Sequence, residues 1–268
     1  MKQLINKEYK ILFFDIDGTI VKCPNSNLIK FAKSRIIDFW GYRRSPSIKH
    51  VFDNKLFESF LLKEIIPYHF NLDIFNKLIF KIGSILEENS INRYLAPHIF
   101  WSLFLSLPLK NGFTEYREGK NNIFVGTESL ISNLYETNTK FIPIIISRNF
   151  YSYIENLQFA KTVKKYGGKI FAPKLIKYID FVRLELSELE ELFLRDNNID
   201  KFSLIDMNRK IMGVSSERCL YIGDEPHEGH FSQALIHQKI NVINVSGTPN
   251  YLSGGNLYGQ LTSFLTND

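Results

Sequence analysis

The feature of this sequence that most constrains its fold is a series of short apolar runs, each about as long as one β-strand. They are residues 11–14, 141–146, 169–171, 219–222 and 240–245. A strand with one wetted face alternates apolar and polar side chains, whereas a strand covered by helices on both faces is almost continuously apolar. The runs therefore predict a buried parallel sheet. Because Pro143 lacks a backbone donor, we expect the second strand to begin after it.

Helical patterns separate these runs. Thr127 is a predicted N-cap, and further helices are predicted over 149–165, 184–195 and 201–212, with Gly213 ending the last one. Strands that alternate with helices along a chain are typical of a doubly wound sheet. We therefore predict an α/β fold with a doubly wound, Rossmann-like parallel sheet as its core.

Residues 24–120 interrupt this alternation of strands and helices. The segment is mostly helical in pattern and concentrates aromatic side chains, in a chain that contains 23 Phe and 13 Tyr. A helical insert must bury one face, so these aromatic residues are expected to form its own core. We predict an inserted, mainly α-helical domain over 24–120, and an α/β core formed by 1–23 and 121–268.

Composition and charge exclude several classes of protein. With 44% hydrophobic residues the chain is too apolar to be disordered, and with 33 basic and 28 acidic residues its net charge is only +5. No run of five like charges occurs, so no nucleic-acid partner is expected. Cys23 and Cys219 form no disulfide framework, and no signal peptide is evident, so a cytoplasmic location is expected. The most apolar stretch, 99–109, is too short for a membrane span. The oligomeric state stays open.

Two carboxylates follow the first predicted strand, in the order Asp15-Ile16-Asp17-Gly18-Thr19. Ligands of open parallel sheets bind at the carboxyl ends of strands. One acid there can act as a nucleophile or metal ligand while the other carries a proton. Gly18 allows a sharp turn close to a ligand, and Thr19 offers a hydroxyl. An Asp-rich turn that caps a helix is the alternative interpretation.

This stretch resembles the first motif, DxDGT, of the haloacid dehalogenase-like (HAD) hydrolase superfamily. Ser147, after the second strand, is similar to the family's second motif, a Ser or Thr. The family's third motif is a Lys at the start of a helix, which Lys201 matches best, with Lys174 as its rival. The fourth is a strand that ends in Gly-Asp with another acid nearby, as in Asp224 and Glu228, although the family more often has Asp at the last place.

The resemblance implies a Mg²⁺-dependent phosphatase that acts on a small phosphorylated substrate, with 24–120 as a helical cap domain at the family's C1 position. Asp15 would be the nucleophile, forming an aspartyl-phosphate, and Asp17 the general acid and base. Ser147 and Lys201 would bind the phosphoryl oxygens. An acid at position 17 favours phosphoryl transfer over dehalogenation, because an oxygen leaving group needs a proton.

The resemblance also implies the remaining site residues. Mg²⁺ would be held by four oxygen-bearing residues: Asp15, Asp17 through its carbonyl, Asp224 and Glu228. Candidates for substrate contact are Gly18, Thr19, Arg148 and Asn149. A phosphotransferase or phosphomutase, a phosphonatase, and a non-enzymatic binding protein with the same fold remain alternatives.

Overall fold

A computed structural model describes residues 9–22, 123–147, 149, 151–174, 183–185, 188, 191, 200–225, 227–245 and 249–267. The chain divides into two compact units. The first comprises Met1–Cys23, Gly119–Pro173 and Ile199–Asp268, and the second Pro24–Glu118 and Lys174–Asn198. The predicted cap domain, 24–120, and most of the predicted helix 184–195 lie outside the described residues and stay predictions.

The described part of the first unit is built on a parallel sheet. Its strands are β1 (Lys10–Phe14), β2 (Phe141–Ile146), β3 (Lys169–Phe171), β4 (Cys219–Gly223) and β5 (Asn241–Asn244). They lie in the order β3-β2-β1-β4-β5, and each neighbouring pair is parallel. The chain adds β2 and β3 on one side of β1 and then crosses to β4 on the other. This confirms the doubly wound sheet and places its topological switch between β1 and β4, where ligands of such sheets bind.

Helices cover both faces of the sheet. They are α1 (Thr127–Thr137), α2 (Tyr151–Ile154), α3 (Gln158–Lys165), α4 (Lys201–Met212), α5 (His230–His237) and α6 (Asn256–Thr266). On β1, Leu12 and Phe14 pack into the cluster that contains α1, α3 and α6 residues. Ile11 and Phe13 pack on the opposite face, with residues from α4 and α5. This two-sided burial is why the strand is apolar at every position after Lys10. No helix in the described ranges is long and apolar enough to cross a membrane.

Two local predictions about the first β-α unit were wrong. Strand β2 begins at Phe141, so Pro143 lies inside it, paired with Leu12 of β1. The Pro143 carbonyl lies beside Gly168, one residue before β3 begins, so the missing N–H falls where that side has no strand partner yet. Thr127 is the first helical residue of α1 instead of its N-cap, which is Gly126 at φ 86°.

The predicted helix 149–165 is two helices, α2 and α3, and the predicted helix 201–212 is confirmed as α4. The N-cap of α4 is Asp200, whose carboxylate accepts a hydrogen bond from the Phe202 N–H at 3.1 Å. Gly213 ends the helix at φ 66°, as predicted. Both ends of α4 are therefore determined by local sequence, and Lys201 is its first residue.

A buried lysine joins the first strand, β1, to the last helix, α6. The side chain of Lys10, at the start of β1, is 5% exposed. Its ammonium group donates to the carbonyls of Phe264 at 2.7 Å, Leu265 at 3.3 Å and Asn267. The last carbonyls of a helix have no intrahelical partners and carry the negative end of its dipole. Lys10 therefore caps α6.

We expect Lys10→Met to lower the free energy of unfolding by about 2 kcal/mol, because charged hydrogen bonds to buried carbonyls are lost. Urea unfolding followed by circular dichroism measures this change. The matched control is Lys169→Met, since Lys169 also begins a strand but is exposed; it should change stability little. Equal effects of the two substitutions would contradict the capping role.

Candidate functional site

Asp15 is the first residue after β1, and its carboxylate is held at the switch between β1 and β4. Its side chain is nearly buried, with 6% of the residue exposed. Its backbone N–H donates to the Ile222 carbonyl of β4 at 2.9 Å. Its Oδ1 accepts a hydrogen bond from the Ile16 N–H at 2.8 Å. Asp15 is thus fixed by backbone groups in the crevice where doubly wound sheets bind ligands.

Lys201 approaches Asp15 from the first turn of α4, and it too is 6% exposed. Its Nζ donates to Asp15 Oδ2 at 2.7 Å, to Glu225 Oε1 at 2.5 Å and to Tyr221 Oη at 3.1 Å. An ammonium group has three N–H donors, so each of them has a partner here. Of the two lysines predicted to bind phosphate, Lys201 lies against Asp15, and Lys174 is exposed.

Glu225 and Tyr221 complete this network on the β4 side. The Tyr221 hydroxyl donates to Glu225 Oε2 at 2.7 Å. Both carboxylate oxygens of Glu225 therefore accept hydrogen bonds, one from Lys201 and one from Tyr221. Gly223, between them, has no room for a side chain, because a Cβ there would overlap the Glu225 carboxylate and the Tyr221 ring.

Three carboxylates meet at this point. Oxygens of Asp15, Asp224 and Glu225 all lie within 4.8 Å of one another. Gly18 has φ +75°, and a Cβ there would overlap the Asp224 carboxylate, so glycine lets Asp224 lie directly over the turn that follows β1. A donor set made only of carboxylate oxygens suits a hard cation such as Mg²⁺.

The acidic group contains Glu225, whereas the resemblance implied a metal-binding role for Glu228, which stays a prediction. Glu228 is exposed in the turn before α5 and is outside the acidic group found in the described residues. The residue after Asp224 turns inward because Lys201 and Tyr221 bind its carboxylate.

The pKa values of these acids reflect burial and mutual repulsion. Burial raises the pKa of Asp15, and the ammonium group of Lys201 only partly offsets this. Burial of the Asp224 carboxyl against Gly18, and then the charges of Asp15 and Glu225, raise its pKa to about 6, although the side chain as a whole is exposed. For Glu225 burial is outweighed by the charge and hydrogen bonds of Lys201, which hold its pKa below the usual range. One ammonium group therefore faces more negative charge than it can neutralise.

A second group of polar side chains follows β2. Ser147 is 1% exposed, and its backbone N–H donates to the Phe171 carbonyl of β3 at 3.0 Å. Its Oγ accepts a hydrogen bond from the Asn149 N–H at 3.0 Å. The Asn149 side chain donates from Nδ2 to Asp17 Oδ1 at 3.1 Å. The ends of β1 and β2 are thus connected through Asp17 and Asn149.

The remaining predicted residues differ in their placement. The Gly18 N–H donates to the Val21 carbonyl at 2.7 Å, which closes the turn. Thr19 is fully buried, its carbonyl accepts a hydrogen bond from the Tyr251 hydroxyl at 2.7 Å, and its Oγ1 has no hydrogen-bond partner in the structure as described. Arg148 lies outside the described residues. Contact of these residues with a substrate stays a prediction.

Sequence reasoning missed Glu225 and Tyr221. Tyr221 stands two residues before Gly223, so strand alternation puts both on the face that α4 covers, and a polar tip in an apolar strand is a signal that it has a partner. The signal for Glu225 was its position directly after Asp224. A pair of adjacent acids at a strand end offers two candidates, and spacing alone cannot tell which one turns inward.

Asp224 should make the stability of the metal-free protein pH-dependent. Since folding raises its pKa from 3.8 to about 6, the folded state binds this proton more tightly than the unfolded state. The resulting stabilisation is full below pH 3.8 and is lost as the pH rises through about 6. We expect Asp224→Asn to raise the free energy of unfolding above pH 6 by about 1 kcal/mol, since solvent screens this exposed side chain. Below pH 3.8 the two proteins should be equally stable. Thermal unfolding in EDTA measures this, and a gain independent of pH would contradict it.

Glu225 and Glu228 are distinguished by their effect on cation binding. We expect Glu225→Gln to weaken Mg²⁺ binding about tenfold, because it removes one charge from the acidic group and frees Lys201 to compete for Asp15. Glu228→Gln is the matched control and should leave the affinity unchanged. Titration calorimetry of Mg²⁺ into each purified variant measures the difference. Weaker Mg²⁺ binding by Glu228→Gln than by Glu225→Gln would instead support Glu228 as the metal-binding residue, as the family resemblance implies.

Comparison with known proteins gives only distant likenesses. No protein-family model and no curated protein matches the chain. Among solved structures, it is similar to the HAD domain of the effector protein Lem4 from Legionella pneumophila, with 13% identity, 96% of each chain covered and a TM-score of 0.44. It is also similar to β-phosphoglucomutase from Clostridium difficile, with 14% identity, 95% of this chain and 96% of that chain covered, and a TM-score of 0.43. A predicted HAD-like family hydrolase from Porphyromonas gingivalis has 12% identity, 97% and 100% coverage, and a TM-score of 0.44.

Identities this low and TM-scores below 0.5 support no inference about activity or substrate. Stronger grounds are the four sequence motifs, their order along the chain, and the parallel sheet that brings Asp15, Lys201 and Asp224 to one crevice. On these grounds the chain is similar to the haloacid dehalogenase-like hydrolase superfamily.

Proposed function

We propose that this protein is a Mg²⁺-dependent phosphomonoester hydrolase that forms an aspartyl-phosphate on Asp15. The observation that carries the proposal is the setting of Asp15. It is a nearly buried carboxylate at the switch point of the sheet, bonded to Lys201 at 2.7 Å and grouped with Asp224 and Glu225. Buried acids with perturbed pKa values in a crevice are typical of catalytic sites.

In the first step a carboxylate oxygen of Asp15 attacks the phosphorus of the substrate. A bond forms between this oxygen and phosphorus while the ester oxygen–phosphorus bond breaks, and the departing oxygen takes the proton of Asp17. The products of the step are a free alcohol, an acyl phosphate on Asp15 and an ionised Asp17. Lys201 supports the attack because its charge favours the ionised form of Asp15 against the effect of burial.

In the second step water attacks the same phosphorus atom. Asp17 takes a proton from this water, the bond between phosphorus and the Asp15 oxygen breaks, and inorganic phosphate leaves. Both carboxyl groups return to their starting states, so the cycle balances. Ser147 follows β2 and accepts a hydrogen bond from the Asn149 N–H, and its hydroxyl has a proton to donate to a phosphoryl oxygen.

Glu225 and Tyr221 keep Lys201 in place through both steps. Besides Asp15, Lys201 is bonded to Glu225 at 2.5 Å and to Tyr221 at 3.1 Å, and neither of these two contacts involves the carboxylate that becomes phosphorylated. A lysine held in this way stays close to both groups, so it can neutralise the negative charge on Asp15 and then the charge on the phosphoryl group. Phosphoryl transfer depends mainly on such positioning and charge neutralisation.

The acidic group fits Mg²⁺. Asp15, Asp224 and Glu225 supply only oxygen donors. Burial, and then the charges of Asp15 and Glu225, raise the pKa of Asp224, and Gly18 leaves the space above its turn open to the Asp224 carboxylate. When bound, Mg²⁺ would neutralise charge on the phosphoryl oxygens and the carboxylates. We expect Asp15 and Asp224 to hold it, with Glu225 contributing its charge beside them.

Hydrolysis of p-nitrophenyl phosphate by the purified protein tests the proposal. We expect activity that EDTA abolishes and Mg²⁺ restores, and that Asp15→Asn lowers by at least about a thousandfold, since the nucleophile is lost. Asp206→Asn is the matched control, because Asp206 pairs with Arg209 and Lys210 on the surface of α4. Hydroxylamine should trap the acyl phosphate as a hydroxamate on Asp15, detectable by mass spectrometry. Hydrolysis that Asp15→Asn leaves intact, or none on a panel of phosphomonoesters, would refute the proposal.

A further inference from the structure

We infer that Asn149 is the positioning residue for Asp17: it orients the Asp17 carboxyl group so that one chosen oxygen delivers the proton to the leaving group. The inference rests on the proposed phosphatase function and deepens it. It also changes the role expected for Asn149, which the sequence suggested as a substrate contact.

The first support is the contact itself. Asn149 Nδ2 donates to Asp17 Oδ1 at 3.1 Å. Asn149 is 4% exposed, whereas Asp17 is only partly buried and lies in the turn that follows β1. A buried amide bonded to a less buried carboxyl group restricts the rotation of that group, because leaving the amide donor unsatisfied would be costly.

The second support is the rigidity of Asn149. Its own N–H donates to Ser147 Oγ at 3.0 Å, and the Ser147 N–H donates to the Phe171 carbonyl of β3. Two residues further on, the Tyr151 N–H donates to the Pro173 carbonyl at 2.8 Å. The connection from β2 to α2 is thus bonded on both sides of Asn149, and its side chain leaves from a fixed backbone.

The third support is the chemistry of the contact. The NH₂ group of an amide only donates, so it pairs with an oxygen that accepts. In a protonated carboxyl group one oxygen carries the proton and the other accepts. A donor at Oδ1 therefore favours the proton on Oδ2, and after transfer the same donor stabilises the ionised carboxylate. Asn149 thereby selects Oδ2 as the oxygen that gives and takes the proton.

This role implies a substrate class. A precisely held acid matters most when the departing oxygen is strongly basic, as in alkyl phosphates, and matters little for a nitrophenolate, which leaves without a proton. The natural substrate would therefore be an alkyl phosphomonoester. Substitution of Asn149 should therefore lower kcat/KM for alkyl phosphates more than for nitrophenyl phosphates.

The test compares kcat/KM across a series of aryl and alkyl phosphates with leaving groups of increasing basicity, in the presence of Mg²⁺. This ratio covers only the steps up to departure of the alcohol, so it isolates proton donation by Asp17 from the later attack of water. The variants are Asn149→Ala and Asn149→Leu, which remove the donor with and without a loss of volume. Asn208→Ala is the matched control, because Asn208 is equally buried but its amide donates to the Leu204 carbonyl.

We expect both Asn149 variants to lose about ten- to hundredfold in kcat/KM for alkyl phosphates such as glycerol phosphate, part of what a general acid contributes. For p-nitrophenyl phosphate the loss should stay below about threefold. In the Asn149 variants kcat/KM therefore falls more steeply as the leaving group becomes more basic, and Asp17→Asn should make this fall steeper still. Asn208→Ala should not lower kcat/KM selectively for any class of substrate.

A loss of equal size for all substrates, or a rise in KM alone, would overturn the inference in favour of a structural or substrate-binding role. Thermal unfolding shows which variants are folded, and if Asn149→Ala is not, Asn149→Leu decides. The failures of the two proposals are distinguishable. If the unaltered protein shows no Asp15-dependent hydrolysis, the phosphatase function fails and the role of Asn149 fails with it. If it does hydrolyse phosphomonoesters, but the Asn149 variants leave the dependence of kcat/KM on leaving-group basicity unchanged, only the role of Asn149 fails.

Discussion

The buried ion pair between Lys201 and Asp15 is the interaction on which the rest of the site depends. Each residue is 6% exposed, and the two side chains meet at 2.7 Å. Removing both charges from water is costly, and only good geometry with further hydrogen bonds repays it. Here Glu225, Tyr221 and the Ile16 N–H supply those bonds. The pair also joins the first turn of α4 to the end of β1, so it links the packing of this helix on the sheet to the chemistry of the site.

The second feature that governs the site is its surplus of negative charge. Lys201 balances only part of the charge on Asp15, Asp224 and Glu225; the pKa of Asp224 is raised first by burial and then by the charges of Asp15 and Glu225. In the metal-free protein this repulsion opposes folding, and a cation would turn it into attraction. A site that is electrostatically unfavourable by itself and favourable with its ligand is what a metal-dependent phosphoryl-transfer centre requires. Asn149, bonded to Ser147 through its N–H and to Asp17 through its side chain, adds a group in which hydrogen bonds instead of charges hold the acid at position 17.

Much of the fold could be predicted because the pattern that encodes it is local. The strands were visible as apolar runs since helices cover both faces, and the ends of α4 were visible because Gly213 lies just after the last helical turn. The misses have equally physical reasons. Pro143 was tolerated inside β2 because its missing donor faces a side where β3 has not begun. Thr127 begins α1 instead of capping it, and the cap is Gly126, where a side chain would overlap the backbone of Leu252, a residue far away in the chain.

The sequence by itself determined which chemical groups stand at the ends of the strands: Asp15 after β1, Ser147 after β2 and Asp224 after β4. It could do so because parallel strands present their carboxyl ends at one edge, whatever the details of packing. Only the tertiary structure decided which further residues join them. Glu225 joins Asp15 and Asp224 because its carboxylate is bound by Lys201 from α4 and by Tyr221 from β4. Asn149 meets Asp17 because β1 and β2 pair in a particular register. Such choices depend on contacts between segments far apart in sequence, which no local pattern contains.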